Sequence, residues 1–304
     1  MYRPKNAINS NPQPRAGGFV QIRAFSKINL ILEVKNKRPD GYHNLQSIMQ
    51  TLSLHDTVTI ESTTCNQQGQ DLFSLNCDDP LLPTNHDNLV TQAATYMIKT
   101  YNIKQPIRID LKKRIPKGAG LAGGSSDCAA TLIGINDLFS LNISIDDIAS
   151  IGQQFGADVP FCVRGGTQLA KGVGEVLTPL PSHPHCWVVL ACPMYEVSTK
   201  EVFNKWTPDY SSSSKMSTVI QAIKRNDLSS IAANFNNDLF HITNQEHNID
   251  ALINEMKSCG ALNSTMSGTG PTVFGYFTNK EIAKKAYTHM KNITRRAFLT
   301  EIIP

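Results

Sequence analysis

The residues best suited to chemistry are Pro116, Lys117, Gly118, Ala119, Gly120, Leu121, Ala122, Gly123, Gly124, Ser125 and Ser126, which run straight into an apolar-periodic segment. Four glycines in seven positions let the backbone approach a ligand closely and adopt positive φ. Ser125 and Ser126 stand where a helix should begin, and serine is a favoured N-cap. Cys128, Leu132, Ile135 and Phe139 then recur at helical spacing. Unpaired N–H groups at a helix start, on the positive end of its dipole, make an anion site. The anion expected here is a nucleotide phosphate.

Several glycine patterns fit at once. Gly118, Gly120 and Gly123 satisfy G-x-G-x-x-G, and Ile107 to Leu111 can form the preceding strand. A dinucleotide fold also needs an acid ending a second strand some 20 residues on. That distance falls in Phe139 to Asn142, where no acid ends a strand. Gly118, Gly123 and Ser125 also sit in register with a P-loop, but Gly124 stands where its lysine belongs. A phosphate cradle of that kind must take its positive charge from elsewhere. The bland alternative is a flexible loop ahead of a helix.

The elements that position this loop follow from pattern. Gly18 to Val34 alternates as a strand, and Arg38-Pro-Asp-Gly41 reads as a turn. Leu45 to Ile60 is a second extended stretch, Asn88 to Tyr101 a helix, and Ile107 to Leu111 a strand. Ile145 to Gln154 suggests a short helix with Gly156 as its C-cap, and Pro160 keeps residues 157–161 out of a helix interior. Residues 179 to 186 hold three prolines and suggest a domain boundary. Beyond them lie a strand at Trp187 to Ala191 and a flexible connector at Ser211 to Ser214. Then come a glycine turn at Ser267 to Pro271, a strand at Thr272 to Phe277 and a basic helix at Lys280 to Lys291. Mixed order with long antiparallel-looking strands argues α+β over a doubly wound sheet.

The 304 residues suit about two domains. A hydrophobic fraction of 40% and a charged fraction of 18% describe an ordinary globular chain. The net charge of +4 is too mild for a nucleic-acid footprint, although Lys112, Lys113 and Arg114 form a dense basic run beside the glycine loop. Seven scattered cysteines without a C-x-x-C pair fit reduced thiols, and so a cytoplasmic setting. His183, His185 and Cys186 look like metal ligands but lack a second cluster at ligand spacing, so no metal site is expected. No run reaches membrane-spanning length. Residues 1–19, free of acids and of an apolar core, are expected to be a disordered extension.

Three separated segments ask for one explanation: Ser26-Lys-Ile-Asn29, the glycine loop, and Ser267-Gly-Thr-Gly270. Together they resemble the GHMP kinase superfamily, whose three motifs follow this order and approximate spacing, over about residues 20 to 300. Arg38-Pro-Asp-Gly-Tyr-His43 is similar to the branch that phosphorylates a cytidine-diphosphate-linked erythritol in non-mevalonate isoprenoid synthesis. A homoserine- or mevalonate-type kinase is the alternative, and Tyr42 and His43 argue against it. The resemblance implies an α+β, two-domain GHMP kinase fold. Its ATP-binding domain, of a type shared with a ribosomal protein, would span 20–180, and its C-terminal domain 181–304.

The resemblance also implies roles. Lys27 and Asp158 match the catalytic lysine and aspartate. A carboxylate can orient an alcohol and take its proton, while a lysine stabilises charge on the transferring phosphoryl group. The glycine loop, from Pro116 to Ser126, would cradle ATP, with Asn88 and Lys113 at nucleotide-contacting positions. Asp127, in the first helical turn, would repel phosphate unless Mg²⁺ or lysines intervene, which points to ATP accompanied by Mg²⁺ as co-substrate. Asn29, Tyr42, His43, Thr199 and Phe203 match substrate-binding positions, with Tyr42 and Phe203 stacking on cytosine and His43 bonding its edge. Cys128, usually a small alanine, and Lys200, sometimes proline, depart from the pattern. The expected partner is a small molecule, with no nucleic acid or membrane, and the protein is expected to be a monomer or weak homodimer.

Overall fold

The alternating apolar residues of the N-terminal half fold as sheet and its 3.6-periodic ones as helix. A computed structural model describes residues 18–63 and 72–304. The expected N-terminal extension lies, up to residue 17, outside the described residues, and Phe19 already begins the first strand. The chain divides into two compact units, the first formed by residues up to 25, 55–115 and 122–164, the second by 26–54, 116–121 and 165–304. The proline-rich segment from 179 to 186 therefore lies inside the second unit. Two long strands, β1 (Phe19–Lys37) and β2 (His43–Ser62), contribute residues to both.

In the first unit, the C-terminal half of β2 pairs antiparallel with β4 (Ile107–Lys112), and β3 (Phe73–Cys77) pairs parallel with β4. Ile107, Ile109 and Leu111 are buried while Arg108 is exposed, the period-two pattern of a strand with one wet face. Helix α1 (Leu89–Thr100) buries Val90, Ala93, Ala94, Met97 and Ile98, a single apolar stripe. Helix α2 (Gly123–Leu138) is buried on nearly every side, which its small residues Ala129, Ala130 and Gly134 permit. A Cβ on Gly134 would stand 2.7 Å from the Ile60 side chain. Helices α3 (Ile145–Gly152) and α4 (Val159–Arg164) pack against each other, and the core joins α1, α2, β2 and β4. The helix expected over 145–154 ends at Gly152 with Gln153 as C-cap, so Gly156 caps nothing. Pro160 is accommodated in the first turn of α4, where its missing N–H has no intrahelical partner to lose.

The second unit carries β5 (Thr167–Gly172), antiparallel to β2 at Leu45 to Gln50, and β6 (Val176–Pro179) beside it. A separate sheet has the order β11-β7-β10-β9, from β7 (Trp187–Ala191), β9 (Ser264–Met266), β10 (Val273–Phe277) and β11 (Ala297–Glu301). Five helices accompany it: α5 (Thr199–Lys205), α6 (Met216–Lys224), α7 (Leu228–Ala233), α8 (Phe240–His247) and α9 (Ile249–Ser258). The longest of the unit, α10 (Lys280–Thr294), packs on β7 and β11. A short strand, β8 (Asn236–Asn237), runs parallel to β1 at Ile31 and Leu32. The segment Ser211 to Ser214 is tied down, because Ser212 bonds Asp238 at 2.8 Å and Ser214 bonds Glu33 at 2.8 Å. No helix among the described residues is long and apolar enough to cross a membrane.

Helix α1 offers a test of this packing. Met97 is fully buried and Lys99, two residues on, is exposed. Met97→Ala should cost about 2–5 kcal/mol of stability, and Lys99→Ala within about 0.5 kcal/mol, by denaturant unfolding. Equal losses for the two would contradict the assigned helix face.

Candidate functional site

The first and third motifs converge on the glycine loop inside the second unit. The Lys27 N–H donates to the Leu121 carbonyl at 3.1 Å, and the Ser267 hydroxyl donates to the Gly120 carbonyl at 2.9 Å. Gly120 has φ +74°, and a Cβ there would stand 2.2 Å from the Ser267 carbonyl oxygen. No side chain fits, so only glycine permits this approach. The third motif is held in turn by Asn237, whose amide donates to the Met266 and Gly268 carbonyls at 2.9 and 2.8 Å. Thr199, at the start of α5, lies 3.2 Å from the Thr269 hydroxyl.

Lys27 is buried in a polar chain rather than exposed on an edge strand. Its ammonium donates to Asn29 Oδ1 at 2.8 Å, the Asn29 amide to the Ser47 hydroxyl at 2.8 Å, and that hydroxyl to the Ile31 carbonyl at 2.6 Å. Such a satisfied network fixes rotamers as well as charge. Ser47 was not legible from sequence; its partners lie 16 and 18 residues away along another strand.

In the first unit the loop becomes α2, and the helix begins earlier than serine's capping preference predicts. The helix starts at Gly123 with Ala122 as N-cap, so Ser125 and Ser126 lie in its first turn and neither caps it. Ala122 adopts φ +59°, a conformation that costs a non-glycine residue about 1–2 kcal/mol. The first intrahelical N–H is that of Ser126, to the Ala122 carbonyl at 2.9 Å. The N–H groups of Gly123, Gly124 and Ser125 precede it and have no intrahelical acceptor, which is the anion-binding arrangement. The Ser126 hydroxyl is committed to the Phe25 carbonyl at 2.5 Å. A Cβ on Gly156 would lie 3.8 Å from the Ser125 hydroxyl, so the segment carrying Asp158 borders the start of α2. Asp158 itself sits immediately before α4, its carbonyl accepting from Cys162 N–H at 3.0 Å.

Lys113 does not reach for an open loop. Its ammonium is clasped by the carboxylates of Asp56 and Asp127, the latter at 2.6 Å. Asp56 also accepts from the backbone N–H groups of Arg114 and Ile115, the latter at 2.8 Å, so it pins the chain where it leaves β4. Burial opposes the Lys113 charge, but the two carboxylates outweigh it and push its pKa up. Burial is also the main influence on Asp127; with the repulsion of Asp56 it overcomes the attraction of Lys113 and lifts the carboxyl to about 7. Two carboxylates thus share one ammonium. Lys113, not a metal ion, answers the Asp127 charge, which removes the reason for inferring Mg²⁺ from that residue. Asn88 is likewise engaged, as N-cap of α1: its Oδ1 accepts from Val90 N–H at 2.9 Å and its amide donates to the Pro83 carbonyl at 2.7 Å.

The turn after β1 presents the remaining residues. Arg38 grips Asp40 through two guanidinium nitrogens, at 2.7 and 3.0 Å, and Asp40 accepts from the Tyr42 N–H at 3.1 Å. That hydrogen-bonded pairing holds the Asp40 carboxyl below its usual range. Tyr42 is left 65% exposed, while His43 is buried. The His43 ring stacks on Phe203 with centroids 5.5 Å apart and meets the edge of Trp206 at 5.5 Å. Burial, and then Lys37, push its pKa down, so the imidazole is neutral at pH 7 and able to donate or accept. Trp206 and Glu196 escaped the sequence reading. Glu196 pairs with Lys117 at 3.4 Å and faces Gly118, contacts that need the fold to be seen. Of the two departures, Cys128 is fully buried on the inner face of α2 and Lys200 is exposed.

The GHMP kinases N terminal domain matches residues 88–166 and the GHMP kinases C terminal domain matches residues 219–294. A 4-diphosphocytidyl-2-C-methyl-D-erythritol kinase from Lachnoclostridium phytofermentans is 41% identical over 275 residues, 90% of this chain and 93% of that protein. A crystal structure of 4-(cytidine 5'-diphospho)-2C-methyl-D-erythritol kinase superposes with a TM-score of 0.80 at 28% identity, covering 94% of this chain and all of the other. Homoserine kinase from Cytophaga hutchinsonii, at 19% identity and TM-score 0.73 over 94% and 95% of the two chains, shares the fold.

The Asp127 carboxyl makes a prediction about pH. Its folded pKa lies above the ordinary 3.8, so between about 3.8 and about 7 the folded state binds more protons than the unfolded one. Its contribution to stability is therefore greatest at the acid end and falls as pH rises through that window. Melting temperatures from pH 4 to pH 8 should decline less in Asp127→Asn than in the wild type. Superimposable pH slopes would contradict the assignment.

Proposed function

The chain belongs to the 4-diphosphocytidyl-2-C-methyl-D-erythritol kinase family of GHMP kinases, and from that membership we propose how its residues serve the reaction. The enzyme transfers the γ-phosphoryl group of ATP to the 2-hydroxyl of 4-diphosphocytidyl-2-C-methyl-D-erythritol, giving the 2-phosphate and ADP in the non-mevalonate route to isoprenoid precursors. The observation that carries the reading is the meeting of the first and third motifs on the Gly120 and Leu121 carbonyls. It supports a loop pre-shaped for phosphate before ligand arrives.

The substrate oxygen attacks the γ-phosphorus, the bond from that phosphorus to the β–γ bridging oxygen breaks, and ADP leaves. Asp158 orients the hydroxyl and receives its proton. Lys27, held by Asn29, stabilises the charge on the transferring oxygens. The N–H groups from Gly118 to Ser125 receive the triphosphate. Because their polar groups are engaged within the protein, Lys113 and Asn88 act as positioning residues: Lys113 fixes where α2 begins and Asn88 fixes α1. Ser126 works the same way through Phe25. Tyr42, exposed on its braced turn, stacks on cytosine; Phe203 supplies the second face and neutral His43 the hydrogen bond. Thr199 and Asn29 contact the rest of the substrate.

Mg²⁺ accompanies ATP. The acids beside the loop do not suit a resident ion, because Asp56 and Asp127 are turned onto Lys113 and the second Asp127 oxygen is buried. Bound to the phosphates, the ion would offset their charge. The scattered cysteines support a cytoplasmic setting, and the mild net charge of +4 supports a small-molecule substrate over nucleic acid.

The test is to incubate the protein with Mg-ATP and each of three acceptors, following ADP and the phosphorylated product. Turnover is expected with 4-diphosphocytidyl-2-C-methyl-D-erythritol and not with homoserine or mevalonate; the opposite selectivity overturns the reading. Asp158→Asn should lower kcat by about 10²–10⁴ while leaving the ATP Kd within about threefold. A near-normal kcat would remove Asp158 as the base.

A further inference from the structure

Outside the three motifs, three different metal-ligating side chains of the second unit meet at one place. Glu255 in the last turns of α9, Cys259 at its C-cap and His289 on α10 offer a carboxylate oxygen, a sulfur and an imidazole nitrogen, all within 4.8 Å of one another. Glu255 and Cys259 are four residues apart, one turn of the same helical face. His289 comes from the neighbouring helix, and its Nε2 lies 2.5 Å from Glu255 Oε1. Met256 on α9 and Ala286 and Met290 on α10 are buried in one core, which holds the two helices where the polar trio can meet. His289 is exposed and Cys259 half-buried, so an ion has a way in from solvent.

We propose that Glu255, Cys259 and His289 form a site for a divalent transition-metal ion of the zinc type, with water as the fourth ligand, clamping α9 to α10. The donor set selects the class. Sulfur, nitrogen and oxygen together suit Zn²⁺ or Co²⁺, whereas Mg²⁺ and Ca²⁺ take oxygen ligands. A carboxylate and a thiolate neutralise the charge of a divalent ion. On binding, the metal–sulfur bond forms as the Cys259 thiol proton passes to solvent, and the metal takes the Nε2 lone pair in place of the hydrogen bond to Glu255. Burial pushes the Cys259 thiol up, so the ion must displace a held proton. Of the nearby cations, Lys284 is already paired with Glu281 at 2.8 Å, and Lys285 lies one turn before His289. The plain competing view is an interhelical Glu255–His289 ion pair with Cys259 as a bystander. A role for the sulfur separates the two.

The full-length protein, reduced and stripped of metal, is titrated with CoCl₂ while the near-ultraviolet thiolate-to-cobalt absorption is followed, and with ZnCl₂ by calorimetry. One equivalent of each is expected, with the absorption band present. Cys259→Ser should abolish the band, and His289→Gln, at an exposed position that folding tolerates, should weaken binding by about tenfold or more, at least the effect of losing an outer-shell partner. Cys77→Ser, in the first unit, should leave the titration unchanged. Absence of a band in the wild type, or its survival in Cys259→Ser, overturns the proposal.

Discussion

The close approach of the glycine-loop backbone to Ser267 is the constraint on which the meeting of motifs in the second unit depends. At Gly120 the absent Cβ makes room for a carbonyl 2.2 Å from where it would be, and the Ser267 hydroxyl then bonds the Gly120 carbonyl. One residue later the Leu121 carbonyl accepts from the Lys27 N–H. Three segments far apart in sequence are thus joined through two adjacent carbonyls. Both carbonyls are therefore engaged within the protein, and they hold the loop backbone in place. No lysine stands at Gly124, and the lysine of β1, Lys27, is buried and held by Asn29.

The first unit fixes the other end of the loop by charge instead of close packing. Asp56 holds the chain at Arg114 and Ile115, and Lys113 ties that point to Asp127 in the first turn of α2. A buried triad of two acids and one base gains little net stability, since desolvation offsets most of the attraction. It does tie the end of β4 to the first turn of α2. Ala122 is strained and the first turn carries no side-chain cap, an arrangement compatible with an anion at the helix start.

Much of this was legible in the sequence, and the misses have physical causes. The period-two run of β1 and the apolar stripe of α1 follow from local rules, and the structure agrees with them. The start of α2 did not, because serine's preference for the N-cap was overridden by the tertiary hold on Asp127 and by Ser126 turning to Phe25. Likewise, nothing in the sequence marks Asp56, 57 residues away, as a partner of Lys113. Trp206 is buried against His43 from another element, and residues 255, 259 and 289 share no motif spacing that would mark them together. Local patterns report elements; the company a charged or aromatic residue keeps is set by topology.

The central claim is that a glycine loop locked through its carbonyls presents its N–H groups to the triphosphate while Lys113 stays with its carboxylates. A crystal structure with a non-hydrolysable ATP analogue tests it most directly. The expected result is phosphate oxygens within hydrogen-bond distance of the N–H groups between Gly118 and Ser125, with Lys113 still between Asp56 and Asp127. A triphosphate bound away from this loop, or Lys113 swung from its acids onto the phosphates, would contradict it.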